Sequence, residues 1–182
     1  LTIFVNHWPS RAADSPVREA VADSLYKYVD AAMKAVPGTG IILMGDFNDE
    51  PSNPSIAQHL FAGEDLMHTA DDQLFCLFPT GSHGETPAHG SHCYRGNWHQ
   101  LDNIIVWQYA VVPEMAVIEK MGTAAYPTCV FDRSSAEILD GDWMRQGGDH
   151  DYSEYPNRTY VGNRYLGGWS DHFPVRVKMY CR

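Results

Sequence analysis

Three observations in this sequence predict an α/β fold. Residues 2–46 read as strand, helix, strand; "LDNIIVW" at 101–107 reads as a further strand; "FPVRVKMY" at 173–180 alternates apolar with charged side chains. In a unit of the first kind the two strands lie parallel, because returning to the same edge takes a crossover, and the helix covers one sheet face.

Residues 2–6 form the first strand. In "SPVREAVADSLYKYVDAAMKAVPG", Val17, Ala20 or Val21, Leu25 with Tyr28, Val29, Ala32 and Val36 fall near helical spacing, which predicts a buried helix face. Ser15 and Pro16 suit its start and Pro37-Gly38 its end. In the strand at 40–46, Ile41, Ile42, Leu43 and Met44 form an apolar run expected to be covered on both faces. Gly45 admits a second backbone or a ligand. Side chains then alternate, so Asp46 and Asn48 should share one side while Phe47 turns into packing. On this stretch alone, capping and turn roles for Asp46 and Asn48 stand level with a catalytic one. A short helix follows at 54–62, then loop-rich residues 63–100, the strand at 101–107, a strand at 114–121 ("EMAVIEKM") and a polar, aromatic, Gly-rich stretch at 134–170. In the last strand Val175, Val177 and Met179 are expected inward, Arg176 and Lys178 outward.

A chain of 182 residues that is 44% hydrophobic can bury a sizeable core, and one domain over 1–182 is expected. No apolar run approaches the roughly 20 residues of a membrane-spanning helix. There is no basic-plus-apolar leader, and "LTIFVNHWPSR" reads as a core strand already under way, so the chain is expected to open inside a fold. The net charge of −10 has the wrong sign for an extended grip on nucleic acid but leaves small phosphoesters open. Cys76, Cys93, Cys129 and Cys181 form no CxxC pair, which argues against a zinc or redox motif; disulfides and buried free thiols both stay open.

Four polar islands sit at strand ends: Asn6-His7, Asp46 with Asn48, Asp102-Asn103, and Ser170-Asp171-His172. Strand ends of an α/β sheet converge at one rim, where ligands bind, and separate capping roles would need four separate explanations. Other signals are weaker. His83, His89 and His92 share one loop, and Asp149, His150 and Asp151 another, without companion ligands at fixed spacing, so solvated loops are the favoured reading. Arg95, Arg158 and Arg164 lie among aromatics; a guanidinium fork suits phosphate oxygens, with structural pairing as the competing role. Trp98, Trp107 and Trp169 read as core. The Asn157-Arg158-Thr159 glycosylation triplet is frequent by chance.

"NHWPSR", "GDFND", "LDNIIV" and "GGWSDHFPV", in this order, resemble the endonuclease/exonuclease/phosphatase superfamily, the metal-dependent phosphoesterases that include DNase I-like nucleases, inositol polyphosphate phosphatases and sphingomyelinases. "SHCYRGNWHQLDNIIV" and "NRTYVGNRYLGGWSDHFPV" resemble a bacterial branch whose substrates are generally unassigned. The resemblance runs from residue 1 to about 180. It implies a DNase I-like four-layer αββα sandwich of which this chain is the C-terminal half or more. By the same resemblance His7 would contact the scissile phosphate, Asp46 orient or deprotonate the attacking water or hold the metal, and Asn48 donate to a phosphoryl oxygen. Asp102 would orient His172, and Asp171 would bind metal, with His172 and Asp46 as further ligands. Asn6, Arg95 and Arg158 are the candidate substrate contacts, and Mg2+ or Mn2+ the cofactor.

These roles suit the chemistry. Phosphoester hydrolysis needs an activated water and neutralisation of charge on oxygen, which a divalent ion with carboxylate partners supplies. A carboxylate behind an imidazole fixes its tautomer and raises its basicity. Oxygen ligands favour Mg2+ or Mn2+, and His172 keeps manganese in play. One departure stands out: the early Asn and the Glu that leads the family's metal ligands have no counterpart in these residues. A missing N-terminal half or another chain is therefore expected to cover the sheet. A small phosphoester is the expected substrate, and a non-catalytic fragment is the alternative. A signal peptide ahead of Leu1 would place the protein in the periplasm or outside the cell.

Overall fold

The computed structural model describes residues 1–37, 39–65, 73–78, 90–107, 111–112, 129–148 and 154–181. The strand expected at 114–121 and the loop residues His83, His89, Asp149, His150 and Asp151 lie outside the described residues.

β1 (Thr2–His7), α1 (Ser15–Ala35) and β2 (Ile41–Asp46) form the expected unit, with the strands parallel and paired from Thr2–Ile41 to His7–Asp46. Pro16 sits in the first turn of α1, where a missing N–H is harmless. The buried helix face differs from the expected one: Arg18, Ala22, Leu25 and Val29 turn inward, while Val17 and Val36 are exposed. The cause is an ion pair. Arg18 Nε lies 2.8 Å from Asp49 Oδ2 with both side chains buried, and Arg18 Nη1 donates to the carbonyls of Ser10 and Ala13 at 3.2 and 3.0 Å. A guanidinium supplied with partners can occupy a core-facing position that apolar periodicity alone would never assign to it.

The expected helix at 54–62 is a single π turn, Ser55–His59, closed by the Leu60 N–H bonding to the Ser55 carbonyl at 3.0 Å. After it come β3 (Ala62–Gly63), β4 (Leu74–Cys76), β5 (His92–Tyr94), β6 (Asn97–His99) and β7 (Asp102–Trp107). β7 pairs antiparallel with β2, giving a mixed five-stranded sheet in the order β1-β2-β7-β4-β3. A second sheet, in the order β12-β9-β8, joins β8 (Val111–Val112), β9 (Cys129–Ile138) and β12 (Val175–Cys181). β5 and β6 pair as a hairpin, as do β10 (Tyr160–Val161) and β11 (Arg164–Tyr165). The stretch 63–100 read as loop because strands of two or three residues are too short to show alternation.

Alternate residues of β2 and β7 separate two cores. Ile41, Leu43 and Ile105 pack with Ala22, Leu25 and Val29 of α1. Ile42, Ile104 and Val106 pack with Phe131, against which Ala136, Ile138, Val175 and Val177 of the second sheet are seated. Among the described residues the layers are therefore helix, five-stranded sheet and three-stranded sheet, an α/β arrangement. Each fully buried aliphatic side chain contributes about 1.5–3 kcal/mol relative to exposure. That double cover ends at Leu43, since Met44 is exposed. Its pairing partner on β1 is Val5, and Leu1, Ile3 and Val5 are exposed by 56, 50 and 80% along this edge strand.

The last strand keeps the expected alternation only in part. Val175 and Val177 are half-buried and Arg176 and Lys178 exposed, but Met179 is exposed too. The β9–β12 register shifts between Arg176 and Lys178, and beyond that irregularity the in–out pattern no longer holds. One disulfide, Cys129–Cys181, ties the same two strands together, while Cys76 and Cys93 are buried free thiols. Trp169 is exposed, contrary to its reading as core, and packs edge-on against Trp143 with ring centroids 6.5 Å apart.

Candidate active site

Strand register builds the site. β1 pairs His7 with Asp46, and β2 pairs Asp46 with Asp102, so three chemistry-bearing residues stand side by side across the ends of β1, β2 and β7. Paired residues on neighbouring strands project to the same sheet face. Gly45 makes the close pairing possible: at φ +128°, a Cβ there would lie 2.1 Å from the Asn6 carbonyl oxygen of β1. His172 extends the row, its Nδ1 lying 2.6 Å from Asp102 Oδ2. His92 follows, bridged antiparallel to His172, with ring centroids 4.6 Å apart.

The knot that joins distant segments here is Ser91, which is fully buried. Its Oγ accepts from the N–H groups of Leu101 and Asp102 at 3.2 and 3.0 Å, and its carbonyl accepts from Phe173 N–H at 2.7 Å. One residue thus sets the start of β7 and the segment carrying His172. Gly168 performs a similar service, because a Cβ there would meet the Asn157 carbonyl oxygen at 1.9 Å, and the same oxygen accepts from Trp169 N–H at 2.7 Å.

Electrostatics follow from this crowding. Burial raises the Asp46 pKa, the Asn48 backbone N–H opposes the rise, and the Asp102 charge adds to it. For His172, burial pulls the pKa down, but the Asp102 hydrogen bond and charge, followed by Asp46 and Asp171, more than compensate and leave it raised. Burial lowers His92 to about 4, helped by the neighbouring His172. His92 is therefore a neutral imidazole near pH 7, available as a donor atom. Two groups of side chains hold ligand atoms within 4.8 Å of one another: Asp46, Asp102 and His172, and His92, Asp171 and His172. The oxygen and imidazole donors present fit a divalent cation.

The sequence-predicted residues separate into those this geometry gathers and those it does not. His7, 81% exposed, lies with its Nε2 3.7 Å from Asp46 Oδ2. Asp46, Asp102, Asp171 and His172 join it in the row or its metal-competent groups. Asn48 is adjacent but occupied: its Nδ2 donates to the Trp8 carbonyl and to Asp46 Oδ2, both at 3.0 Å, and its N–H donates to Asp46 Oδ1 at 2.8 Å. Asn48 therefore orients Asp46, and these contacts are those of the turn role; the donation to a phosphoryl oxygen that the resemblance implies is not among them. Asn6 is turned to structural use, donating to the Phe4 carbonyl at 3.0 Å and accepting from Trp8 Nε1 at 3.2 Å. Arg95 occupies the β5–β6 turn at φ +51°, exposed and lying over the Tyr94 ring at 5.1 Å. Arg158 belongs near the site: its charge helps depress His92, and its Nε is buried without a hydrogen-bond partner among the described residues.

Sequence reasoning missed four contributors. Trp8 and Ser91 act through backbone groups or a hydroxyl, and no residue-type pattern marks them. His92 falls among the loop histidines in the sequence, although it opens β5, whose hairpin partner β6 leads into β7 at Asp102. The Arg18–Asp49 pair was signalled only by a charged residue beside the apolar face of α1 and by Asp49 following the Asp46–Asn48 pair.

Carboxylates and imidazoles gathered at one rim of a mixed α/β sheet define a metal-competent polar centre. The chain belongs to the Endonuclease/Exonuclease/phosphatase family, whose model matches residues 1–181. Members of that family are generally hydrolytic nucleases and phosphatases and typically depend on a divalent metal. Among curated proteins none matches. A solved structure similar to this chain is that of a functionally unknown conserved protein from Enterococcus faecalis V583, at 12% identity and a TM-score of 0.48. The similarity covers 99% of this chain and 50% of that one, so the chain spans about half the length of the protein it matches.

Proposed function

We propose that this chain carries the catalytic centre of a divalent-metal-dependent phosphoesterase that hydrolyses a small phosphodiester or phosphomonoester by in-line attack of water. The supporting observation is the in-register row His7–Asp46–Asp102 closed by the Asp102–His172 hydrogen bond. Asp46, its pKa raised by burial, is the stronger base for it and takes the proton from the attacking water. Asn48 holds that carboxylate in a fixed orientation through two hydrogen bonds. His7, projecting into solvent beside Asp46, meets a phosphoryl oxygen as negative charge grows there. Asp102 fixes the His172 tautomer with Nδ1 protonated, leaving Nε2 directed at ligand. Arg158 supplies positive charge on the His92 side of the site for the substrate phosphate. His172, either with Asp46 and Asp102 or with Asp171 and His92, would hold Mg2+ or Mn2+, which when bound would supply charge neutralisation at phosphate.

The test is hydrolysis of an aryl phosphodiester and an aryl phosphomonoester with Mg2+ or Mn2+ present. His7→Ala, Asp46→Ala and His172→Ala should each abolish turnover while the far-ultraviolet circular dichroism stays that of the wild type. Equal rates in wild type and all three variants would remove the proposal. No turnover by wild type with either ion would put the alternative, a binding or structural role, in its place.

A further inference from the structure

We infer that His92 is a direct metal ligand and that, with Asp171 and His172, it makes this centre selective for a borderline first-row cation such as Mn2+ or Zn2+ over Mg2+. The inference rests on the phosphoesterase reading only for its biological use; the site itself stands on three observations. First, His92, Asp171 and His172 present ligand atoms within 4.8 Å of one another, a two-imidazole, one-carboxylate set. Second, His172 Nδ1 is engaged by Asp102 at 2.6 Å, which leaves Nε2 as its free donor and supplies the carboxylate–histidine support that metal-ligating imidazoles generally have. Third, the His92 backbone is tied to His172 by the antiparallel bridge and the two rings pack with centroids 4.6 Å apart, yet His92 Nδ1 is buried without a hydrogen-bond partner among the described residues.

A ring packed against its neighbour and left partly unsatisfied is poorly explained as a surface-loop histidine. Donor chemistry then decides the ion. Mg2+ takes oxygen ligands and retains waters, whereas imidazole suits zinc and other first-row transition ions. Asp171, exposed beside the two rings, would supply the one carboxylate of this set.

Binding of Mn2+, Zn2+ and Mg2+ to the purified chain by titration calorimetry, with the visible d–d absorption of Co2+ as a structural report, tests the inference. Wild type should bind Mn2+ or Zn2+ well ahead of Mg2+. His92→Ala should weaken transition-ion binding by at least about ten- to a hundredfold and alter the Co2+ spectrum. Asp171→Asn, on an exposed side chain whose loss leaves packing intact, should do the same. Binding unchanged in both variants, or Mg2+ bound as tightly as Mn2+ and Zn2+, overturns the inference. Hydrolysis supported by Mg2+ alone would sink this site and leave the phosphoesterase reading standing; His92-dependent Mn2+ binding without hydrolysis would do the reverse.

Discussion

Asp102 Oδ2 and His172 Nδ1 lie 2.6 Å apart although 70 positions separate them in the chain. Both side chains are mostly shielded from solvent, so the couple acts as a charge-assisted hydrogen bond worth about 1.5–3 kcal/mol. Its pH dependence has a definite sign. The folded-state pKa of His172 is raised, so its stabilisation is complete below the unfolded value of about 6.5 and is lost as pH rises through the folded pKa. Asp102→Asn should therefore lower the His172 titration midpoint followed by NMR and cost more stability at pH 5.5 than at pH 8.5, as roughly chosen on either side of that window. A midpoint that stays put would mean the carboxylate does not govern the imidazole.

His7 separates chemistry from stability. At 81% exposure it contributes little to packing, and surface substitutions generally stay within about 0.5 kcal/mol. If it stabilises charge on phosphate, His7→Ala should reduce kcat by about 10²–10³ while leaving the melting temperature unchanged. A matched loss of both would assign the residue to the fold.

Ser91 is a positioning residue. Ser91→Ala removes the acceptor for the Leu101 and Asp102 N–H groups. A buried donor left without a partner costs about 1–3 kcal/mol, and the Asp102–His172 contact should loosen with it. Chemical denaturation measures the first effect and the His172 titration midpoint, drifting toward that of Asp102→Asn, the second. Ser91→Thr, which restores the hydroxyl, should recover part of the shift.

The Arg18–Asp49 pair anchors α1 beneath the loop that carries Asn48. Removing one partner strands a buried charge, so Asp49→Ala should cost about 3–5 kcal/mol. Replacing both, with Arg18→Met and Asp49→Leu, should recover most of that loss. Denaturant midpoints decide it. A double variant no more stable than Asp49→Ala would show that the Arg18 bonds to Ser10 and Ala13, rather than the ion pair, hold the helix.

Much of this was legible in the sequence because it is written locally. The parallel β1–α1–β2 unit follows from one strand-length run, one helical periodicity and one more strand. The row of His7, Asp46 and Asp102 was visible as polar residues where apolar strands end, and the ordered motifs supplied His172 and Asp171. What stayed hidden depends on long-range contacts. Arg18 faces the core only because Asp49 arrives from another segment. Met179 is exposed because the β9–β12 register breaks, and no alternation in β12 records a fault in its partner. His92 looked like one of three loop histidines until the bridge to His172 singled it out.

The edge strand β1 makes the last prediction. Among the described residues its backbone pairs on one side only, with β2, and Ile3 and Val5 project to the same face as Ile42 and Met44, their partners in register. Ile42 is covered by the second sheet, whereas Ile3, Val5 and Met44 are exposed. An apolar edge with unpaired N–H and C=O groups is a template for another strand, and natural edges are blunted by charge, most often lysine. The chain on its own should therefore associate through β1. Val5→Lys should lower light scattering and move the gel-filtration mass toward that of a monomer, with stability changed by no more than about 0.5 kcal/mol. The equivalent change at exposed Val17 of α1 leaves the edge intact and should have no such effect. If Val5→Lys and Val17→Lys behave alike, association runs through another surface, and the exposed face of β1 is not the one that seeks a partner.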